Sequence, residues 1–380
     1  MGGRSILDRA MTRRRFMAAS AVTTGAAIAS LGLSQCDPAL IRRVQQHKDP
    51  QQPSHRVFVW QFSSDGSLDS VASQLQGKGL AVVLKTHDGL DWMATYDHSP
   101  DAITDAARLR NVARYFEDRG IAFHAWCVVK GVDVDREAQM CAEVLAADAR
   151  SLIIDLEGYS GFWQGTPEDA ARFGSVLRSL TPFGRVDITI DPRPWRLGDV
   201  PLAEFVALSD GIWPQLYWDT FNTPGNVDGY NGAGFPVPAG GITPEFLLDA
   251  TEKILAPFER EILPAGQGAA SDPITWPRFA HRAWELKMPE IVLWRLGVSR
   301  EETIQYLADN PPGVEPKAPP PTPTPTVGKG SKTPTATKTK SPTKTVSPTR
   351  TTTGTPTATR TPTPTLSPSA TGTPTFSPTP

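Results

Sequence analysis

Eight apolar segments of strand length, each followed by a segment with helical periodicity, fill the middle of the sequence. This alternation predicts parallel strands joined by helices, and eight units within about 250 residues predict a closed barrel rather than an open sheet. The expected strands are Val57–Phe62, Ala81–Thr86, Ile121–Val129, Leu152–Glu157, Val186–Asp191, Ile212–Trp218, Ile262–Ala265 and Ile291–Leu296. The expected helices are Leu68–Gln76, Ala102–Arg119, Arg136–Ala147, Pro167–Leu180, Leu202–Leu208, Glu245–Phe258, Trp276–Lys287 and Glu301–Ala308.

The expected fold is therefore of the α/β class, a (β/α)8 TIM-type barrel. One alternative stays open in the long segment 219–243. There, Phe235-Pro-Val-Pro could form a further extended piece, which would make nine units and a less regular barrel.

Composition divides the chain into a central domain and two ends. We expect a signal at 1–36, a linker at 37–54, the barrel at 55–310 and a disordered tail at 311–380. The segment 1–36 holds five arginines and one aspartate, and 317–380 holds eight Lys/Arg and no acid, which leaves 25 basic and 39 acidic residues between them. A central charge of −14 argues against binding nucleic acid, which requires clustered Lys and Arg.

The N-terminus resembles a twin-arginine export signal. Thr12-Arg-Arg-Arg-Phe-Met17 precedes an uncharged Ala/Gly/Thr-rich stretch from Ala18 to Ser34 that is too short and too weakly apolar to be a permanent span. Leu33-Ser-Gln-Cys36 then resembles a lipobox, in which Cys36 would be lipidated. We expect an extracytoplasmic, cell-surface protein, anchored to the membrane by Cys36. Cleavage nearby without lipidation and an uncleaved anchor are the alternatives.

The C-terminal tail is rich in Thr, Pro and Ser, as in Pro320-Pro-Thr-Pro-Thr-Pro-Thr326. It has few apolar residues to bury, so it cannot offset the conformational entropy lost on folding. We expect an extended stalk that serves as a spacer or as a substrate for O-glycosylation.

Two carboxylates end the fourth expected strand. Side chains alternate along a strand, so Asp155 and Glu157 share one face, and the apolar Ile154 and Leu156 are expected to face the helices. The same alternation turns Asp191 of the fifth strand inward. Because adjacent strands lie about 4.8 Å apart, Glu157 and Asp191 could lie within roughly 5–9 Å, the range used in glycoside hydrolysis. Repulsion among inward acids would raise at least one pKa, as a general acid requires.

Other strand ends carry aromatic and polar side chains suited to a sugar. Indole rings cover the apolar faces of pyranoses, while Gln, Asp and Arg bind hydroxyls. All ten tryptophans lie in the central domain, and we expect about half of the five near strand ends to line a cleft. The expected substrate-binding residues are Lys85, Asp88, His124, Trp126, Gln215, Tyr217, Trp218, Gln267, Trp294 and Arg295.

With these residues in place, the barrel resembles the glycoside hydrolase superfamily. Asp155-Leu-Glu157 is similar to the Asp-x-Glu motif of lysozyme-type and chitinase-like families, although the longer Asp-x-x-Asp-x-Asp-x-Glu motif of chitinases is absent. The resemblance implies that Glu157 is the general acid and that Asp155 orients it, stabilises charge or positions a substrate acetamido group. Tyr217 is placed like a tyrosine of the chitinase-like enzymes.

The expected function is hydrolysis of an envelope or environmental glycan, with Asp155 or Asp191 as the second carboxylate beside Glu157. The main alternative is a non-catalytic polysaccharide-binding barrel. We expect no metal and no cofactor, because the six histidines form no His-x-His pair. A phosphate site at Ala265-Gly-Gln-Gly268 is a weaker alternative. The protein is expected to be a monomer.

Cys127 and Cys141 are expected to meet between the third strand and the helix that follows it. A disulfide outside the cytoplasm and a pair of buried free thiols are both open, and folding in reducing surroundings before export favours the thiols.

Overall fold

The computed structural model describes residues 53–269, 274–288 and 290–317. Within these ranges eight parallel strands form a closed barrel, in which β1 pairs with both β2 and β8. The seventh strand is interrupted, and its two parts pair with successive stretches of β6. The strands are β1 (Arg56–Val59), β2 (Ala81–Asp88), β3 (Phe123–Val128), β4 (Ser151–Leu156), β5 (Arg185–Ile190), β6 (Gly211–Leu216), β7 (Glu261–Ile262 and Ala265–Gln267) and β8 (Val292–Trp294).

A helix follows each barrel strand in the described part of the chain. Several begin at a side chain that accepts a backbone N–H of the first turn; Asp105 caps α2, and Thr166 and Asp169 form a reciprocal capping box on α4. The helices are α1 (Leu68–Leu75), α2 (Ala106–Glu117), α3 (Val134–Ala146), α4 (Pro167–Leu180), α5 (Leu202–Leu208), α6 (Pro244–Leu255), α7 (Thr275–Glu285) and α8 (Glu301–Asp309). Further short helices span Phe62–Asp65, Trp218–Phe221 and Pro224–Gly232, and a two-residue strand, Asp91–Trp92, pairs with the end of β2.

Apolar side chains form two clusters that follow the alternation along the strands. Ile154 and Leu156 of β4 join the larger cluster, between the strands and the helices. Ile153 faces the barrel axis and packs in the smaller cluster with Phe58, Val83, Trp126, Val128, Trp213, Leu263, Ala265 and Val292. The barrel is therefore a packed core rather than a pore, and only its mouth is open to a ligand.

The predicted fold class is confirmed, with local differences in the element bounds. Phe235-Pro-Val-Pro forms no strand, so the alternative of nine units was wrong; the segment 219–243 instead holds the helix Pro224–Gly232. Helix α2 begins at Ala106 rather than Ala102 because Asp105 caps it.

The two cysteines meet as expected. Cys127 and Cys141 are buried free thiols, with their sulfurs 3.9 Å apart.

The signal at 1–36, the lipidation site Cys36 and most of the linker and tail lie outside the described residues. In the part that is described, no helix has the length and apolar character needed to cross a membrane.

Candidate active site

The barrel interior changes character along its axis. At the amino ends of the strands lies a charged layer, in which Arg56 pairs with Glu290 at 2.7 Å and Arg185 with Asp187 at 3.0 Å. Next comes the aromatic layer of Phe58, Trp126 and Trp213. Polar side chains return at the carboxyl ends of the strands, where barrel enzymes place their active sites.

Two carboxylates of the mouth share one amide. The Gln215 Nε2 donates to Asp155 Oδ1 at 3.2 Å and to Glu157 Oε1 at 3.3 Å. Asp155 ends the inward face of β4 and is buried, whereas Glu157 follows the strand and is half-buried. Gly158 comes next because a Cβ there would lie 2.3 Å from the Asp199 Cβ. The acid pair, Asp155 and Glu157, is therefore held between the strand β6 and a tightly packed loop.

Burial raises the pKa of both members of the acid pair. For Asp155 the charge of Glu157 raises the pKa further, to well above its usual range, against an opposing effect of Lys85. For Glu157 burial is the main cause of the raised pKa. The hydrogen bond from Gln215 lowers this pKa, and the charge of Asp191 raises it further. Near neutral pH the pair therefore favours retention of a proton, which a general acid needs.

The third predicted catalytic residue, Asp191, has a different environment. The single N–H of the Arg193 Nε is shared by both oxygens of its carboxylate, at 2.9 and 3.0 Å, and Arg196 lies 3.7 Å away. Arg193 also donates to Asn226, which fixes its position. Asp191 is thus paired directly with fixed cations, whereas the same two arginines act on Glu157 only through their charges, which lower its pKa.

Lys85 and Asp88 lie at the end of β2, as predicted. The Lys85 ammonium is 3.0 Å from Asp88 and about 5.0 Å from the ring centres of Tyr96 and Trp126. Lys130 contacts the other oxygen of Asp88 at 2.8 Å, and the two lysines together lower the pKa of Asp88 against the effect of burial. Lys85 is buried and its charge acts on Asp155, whereas Asp88 and Lys130 are half-buried.

Aromatic rings form the floor of the mouth. Trp294 is half-buried and makes edge contacts with Phe58 and Trp126 at 5.1 and 5.6 Å between ring centres. Arg295 follows it, forms an ion pair with Asp65 and lies 5.0 Å from the Trp60 ring. Tyr217 is near enough to the carboxylates that burial, and then their charges, raise its pKa well above the usual value.

Four of the predicted binding residues are not at the mouth surface, and one of them, Trp126, lies in the aromatic layer below it. His124 is buried in the charged layer and contacts the Ser151 hydroxyl at 2.7 Å. Trp218 is 1% exposed and packs among Trp276 and Phe279 behind the strands, because the chain turns into a helix there. The Gln267 side chain binds the start of the same helix, accepting from Asp219 N at 2.9 Å.

Other residues of the mouth were not among the predicted site residues. Trp60 and Phe162 pack against the inner cluster while remaining half-buried, and Tyr159 is 43% exposed beside Arg196. The sequence held a signal for Trp60, since alternation from Phe58 turns it inward. It held none for Tyr159 and Phe162, which lie on an irregular loop.

Potential metal ligands gather elsewhere. In residues 53–269, 274–288 and 290–317 the one group of three is His87, Cys127 and Cys141, which lies behind the strands rather than at the mouth.

Comparison with known proteins yields distant structural matches. No protein-family model and no curated protein matches the chain. The structure is similar to the catalytic domain of a hyperthermophilic chitinase from Pyrococcus furiosus, at 12% identity and a TM-score of 0.45, covering 68% of this chain and 95% of that one. It is similar to the PgaB (BpsB) glycoside hydrolase domain from Bordetella bronchiseptica, at 12% identity and 0.44, covering 68% and 98%. It is also similar to the spore cortex-lytic enzyme SleL from Bacillus megaterium QM B1551, at 10% identity and 0.42, covering 69% and 75%. The chain thus has a distant structural similarity to glycoside hydrolase barrels.

Proposed function

We propose that the protein hydrolyses a glycan that contains N-acetylated amino sugars, with Glu157 as the general acid. The observation that carries this proposal is the acid pair at the barrel mouth, joined through Gln215 and with raised pKa values. Glu157 is the more exposed member, so it protonates the glycosidic oxygen as the bond to C1 breaks.

The position of Asp155 favours a nucleophile from the substrate. Glycosidases with a protein nucleophile hold two carboxylates on opposite sides of the bond, roughly 5–5.5 Å apart. Asp155 and Glu157 project from the same side of one strand, and the Asp191 carboxylate is hydrogen-bonded to Arg193. In the proposed mechanism the acetamido oxygen attacks C1 and Asp155 stabilises the positive charge that develops on the acetamido group. Water, deprotonated by Glu157, then opens the cyclic intermediate and restores the acid.

The aromatic floor supports a sugar ligand. Trp294 and Trp60 are half-buried at the mouth and can cover the apolar face of a pyranose. Lys85, Asp88 and Lys130 are close by and can bind its hydroxyls.

The test uses the full chain and oligosaccharides of equal length with and without N-acetyl groups. We expect hydrolysis of the acetylated series alone, and a fall in kcat/KM of about 100-fold or more in Glu157→Gln. Glu143→Gln, on the exposed face of α3, is the matched control and should keep full activity. Equal hydrolysis of both series would contradict substrate assistance, and full activity of Glu157→Gln would contradict the assignment of the acid.

A non-catalytic glycan-binding barrel is the second candidate. It is favoured by the hydrogen bonds that already hold Asp155 and Glu157 within the protein. Binding of the acetylated oligosaccharides without hydrolysis, at equal affinity in wild type and Glu157→Gln, would support it.

The proposed site of action is outside the cytoplasm, at the cell surface, with the barrel anchored through lipidated Cys36. This rests on the sequence of 1–36 alone. Metabolic labelling with a fatty acid should mark the wild type and not Cys36→Ala, and replacement of Arg13 and Arg14 by lysine should retain the protein in the cytoplasm.

A further inference from the structure

Three ligand-type side chains meet in the layer between the barrel and helix α3. The Cys141 Sγ lies 3.9 Å from the Cys127 Sγ and 3.7 Å from the His87 Nε2, and all three ligand atoms are within 4.8 Å of one another. None of the three residues has any solvent exposure. We call these residues the Cys2His cluster.

A bulge in β2 turns His87 towards this layer. The pairing between β2 and β3 changes register between Lys85 and His87, so that His87 lies opposite Cys127. Bulges of this kind redirect a side chain. Without the bulge, simple alternation from the inward Lys85 would place His87 inside the barrel.

Hydrogen bonding leaves one imidazole nitrogen available as a ligand. The Thr86 hydroxyl donates its single proton to the Trp126 carbonyl at 3.2 Å. In that arrangement it accepts from the protonated Nδ1 of His87, which lies 2.9 Å away. With the proton on Nδ1, the Nε2 lone pair points towards the two sulfurs. A fixed second nitrogen of this kind is a regular feature of metal-binding histidines.

We propose that the Cys2His cluster binds a closed-shell thiophilic cation, Zn²⁺ or Cu⁺. The three ligand atoms are 3.7 to at most 4.8 Å apart, so a cation in their plane lies roughly 2.2–2.5 Å from each, close to a Zn–S bond length of about 2.3 Å. Thiolate and imidazole ligands select these ions over Mg²⁺ or Ca²⁺. The ion ties helix α3 to strands β2 and β3 behind the mouth.

The neighbouring carboxylate of Glu137 is not available as a further metal ligand. Glu137, one turn before Cys141 on α3, accepts backbone N–H groups of Lys130, Gly131, Val132 and Asp133. Three protein ligands in a closed layer suit trigonal Cu⁺. For Zn²⁺ the two thiolates would neutralise the charge of the ion, but a water would have to fill its fourth coordination position.

The experiment measures ion binding by the full chain refolded under reducing conditions with Zn²⁺ alone, with Cu⁺ alone, or with neither. One equivalent per chain is expected from the preferred ion, with a rise in Tm of roughly 5–10 °C when the ion is at 100 times its Kd. Val144→Ala, which shortens a buried side chain of α3 close to Cys141, is the matched control and should keep the rise. Cys141→Ala should lose it, and Cys36 is present in every variant.

A second measurement covers the case in which Cys141→Ala does not fold. Co²⁺ added to the wild type should give a thiolate-to-metal charge-transfer band that Zn²⁺ or Cu⁺ removes. The proposal would be overturned by no binding of either ion to the wild type, by equal binding in Cys141→Ala, or by a Cys127–Cys141 disulfide in the folded protein purified under reducing conditions.

Discussion

Replacement of Gln215 by leucine tests how the acid pair is controlled. In the wild type the Gln215 amide donates to Glu157 at 3.3 Å and so stabilises its charged form, which lowers the pKa of Glu157 against the effect of burial. Leucine has similar volume and no donor. The pKa of Glu157 should therefore rise, the acid should stay protonated to higher pH, and the basic limb of the kcat/KM profile should move upward.

The size of the effect follows from the hydrogen bond. A bond to a charged group contributes about 1.5–3 kcal/mol, and about 1.36 kcal/mol corresponds to one pH unit. The bond is long and the amide is shared with Asp155, so the lower end applies, and the limb should move by about one pH unit.

The assay is the pH dependence of kcat/KM on the acetylated oligosaccharide, together with an NMR titration of the ¹³C-labelled Glu157 carboxyl that needs no substrate. Gln305→Leu, on the exposed face of α8, is the control for losing a glutamine amide and should leave both readouts unchanged. An unchanged or lower pKa of Glu157 in folded Gln215→Leu would refute the reasoning.

Three further predictions concern stability. The pKa of Asp155 is raised in the folded state, so this carboxyl contributes most to the free energy of unfolding at acidic pH, and the contribution is lost as pH rises through the folded-state pKa. Asp155→Asn should therefore be more stable than wild type at pH 7 while losing activity. Burial lowers the pKa of His55 from 6.5 to about 4. As pH falls from 6.5 to 4, the free energy of unfolding of wild type should therefore drop by about 3 kcal/mol relative to that of His55→Gln. Gly158→Ala, whose Cβ would meet Asp199, should cost about 1–3 kcal/mol, whereas Gly240→Ala meets no atom within 4 Å and should cost little.

Chemical denaturation at several pH values measures all three effects. Equal stability of Asp155→Asn and wild type at pH 7 would contradict the penalty assigned to burying that carboxyl. A pH dependence that persists in His55→Gln would place the titrating group elsewhere, and Gly158→Ala as stable as Gly240→Ala would show that the loop after Glu157 can move aside.

Local physics explains why so much of the fold could be predicted. Barrel strands are buried on both faces, so each reads as a continuous apolar run, and a polar residue marks the strand end. Alternation then assigned Ile153 and Asp155 to the axis and Ile154 and Leu156 to the helix layer, as the structure has them. The same rule would have found Trp60.

Depth along the barrel axis could not be predicted in this way. His124 and Trp126 have the same parity on β3, yet His124 lies in the charged layer and Trp126 under the mouth. Alternation shows only that a side chain faces inward. Because barrel strands are staggered against their neighbours, the sequence does not show which inward residue of a strand is level with the mouth. Alternation also could not extend to Trp218, because β6 ends at Leu216 and the helical turn that follows changes the direction of the side chains.

The difference between Asp191 and Glu157 explains why a list of inward carboxylates is not yet an active site. Both follow adjacent strands and both were candidate catalytic groups from the sequence. Asp191 is held by Arg193, a residue two positions later on a loop whose path the strand pattern does not determine. Its carboxylate is therefore already engaged by a fixed guanidinium. Glu157 has no such ion pair among the described residues: burial raises its pKa, against the hydrogen bond from Gln215 and the charges of Arg193 and Arg196. The proposed role of Glu157 as the general acid therefore follows from the contacts of the two carboxylates, not from the inward direction that they share.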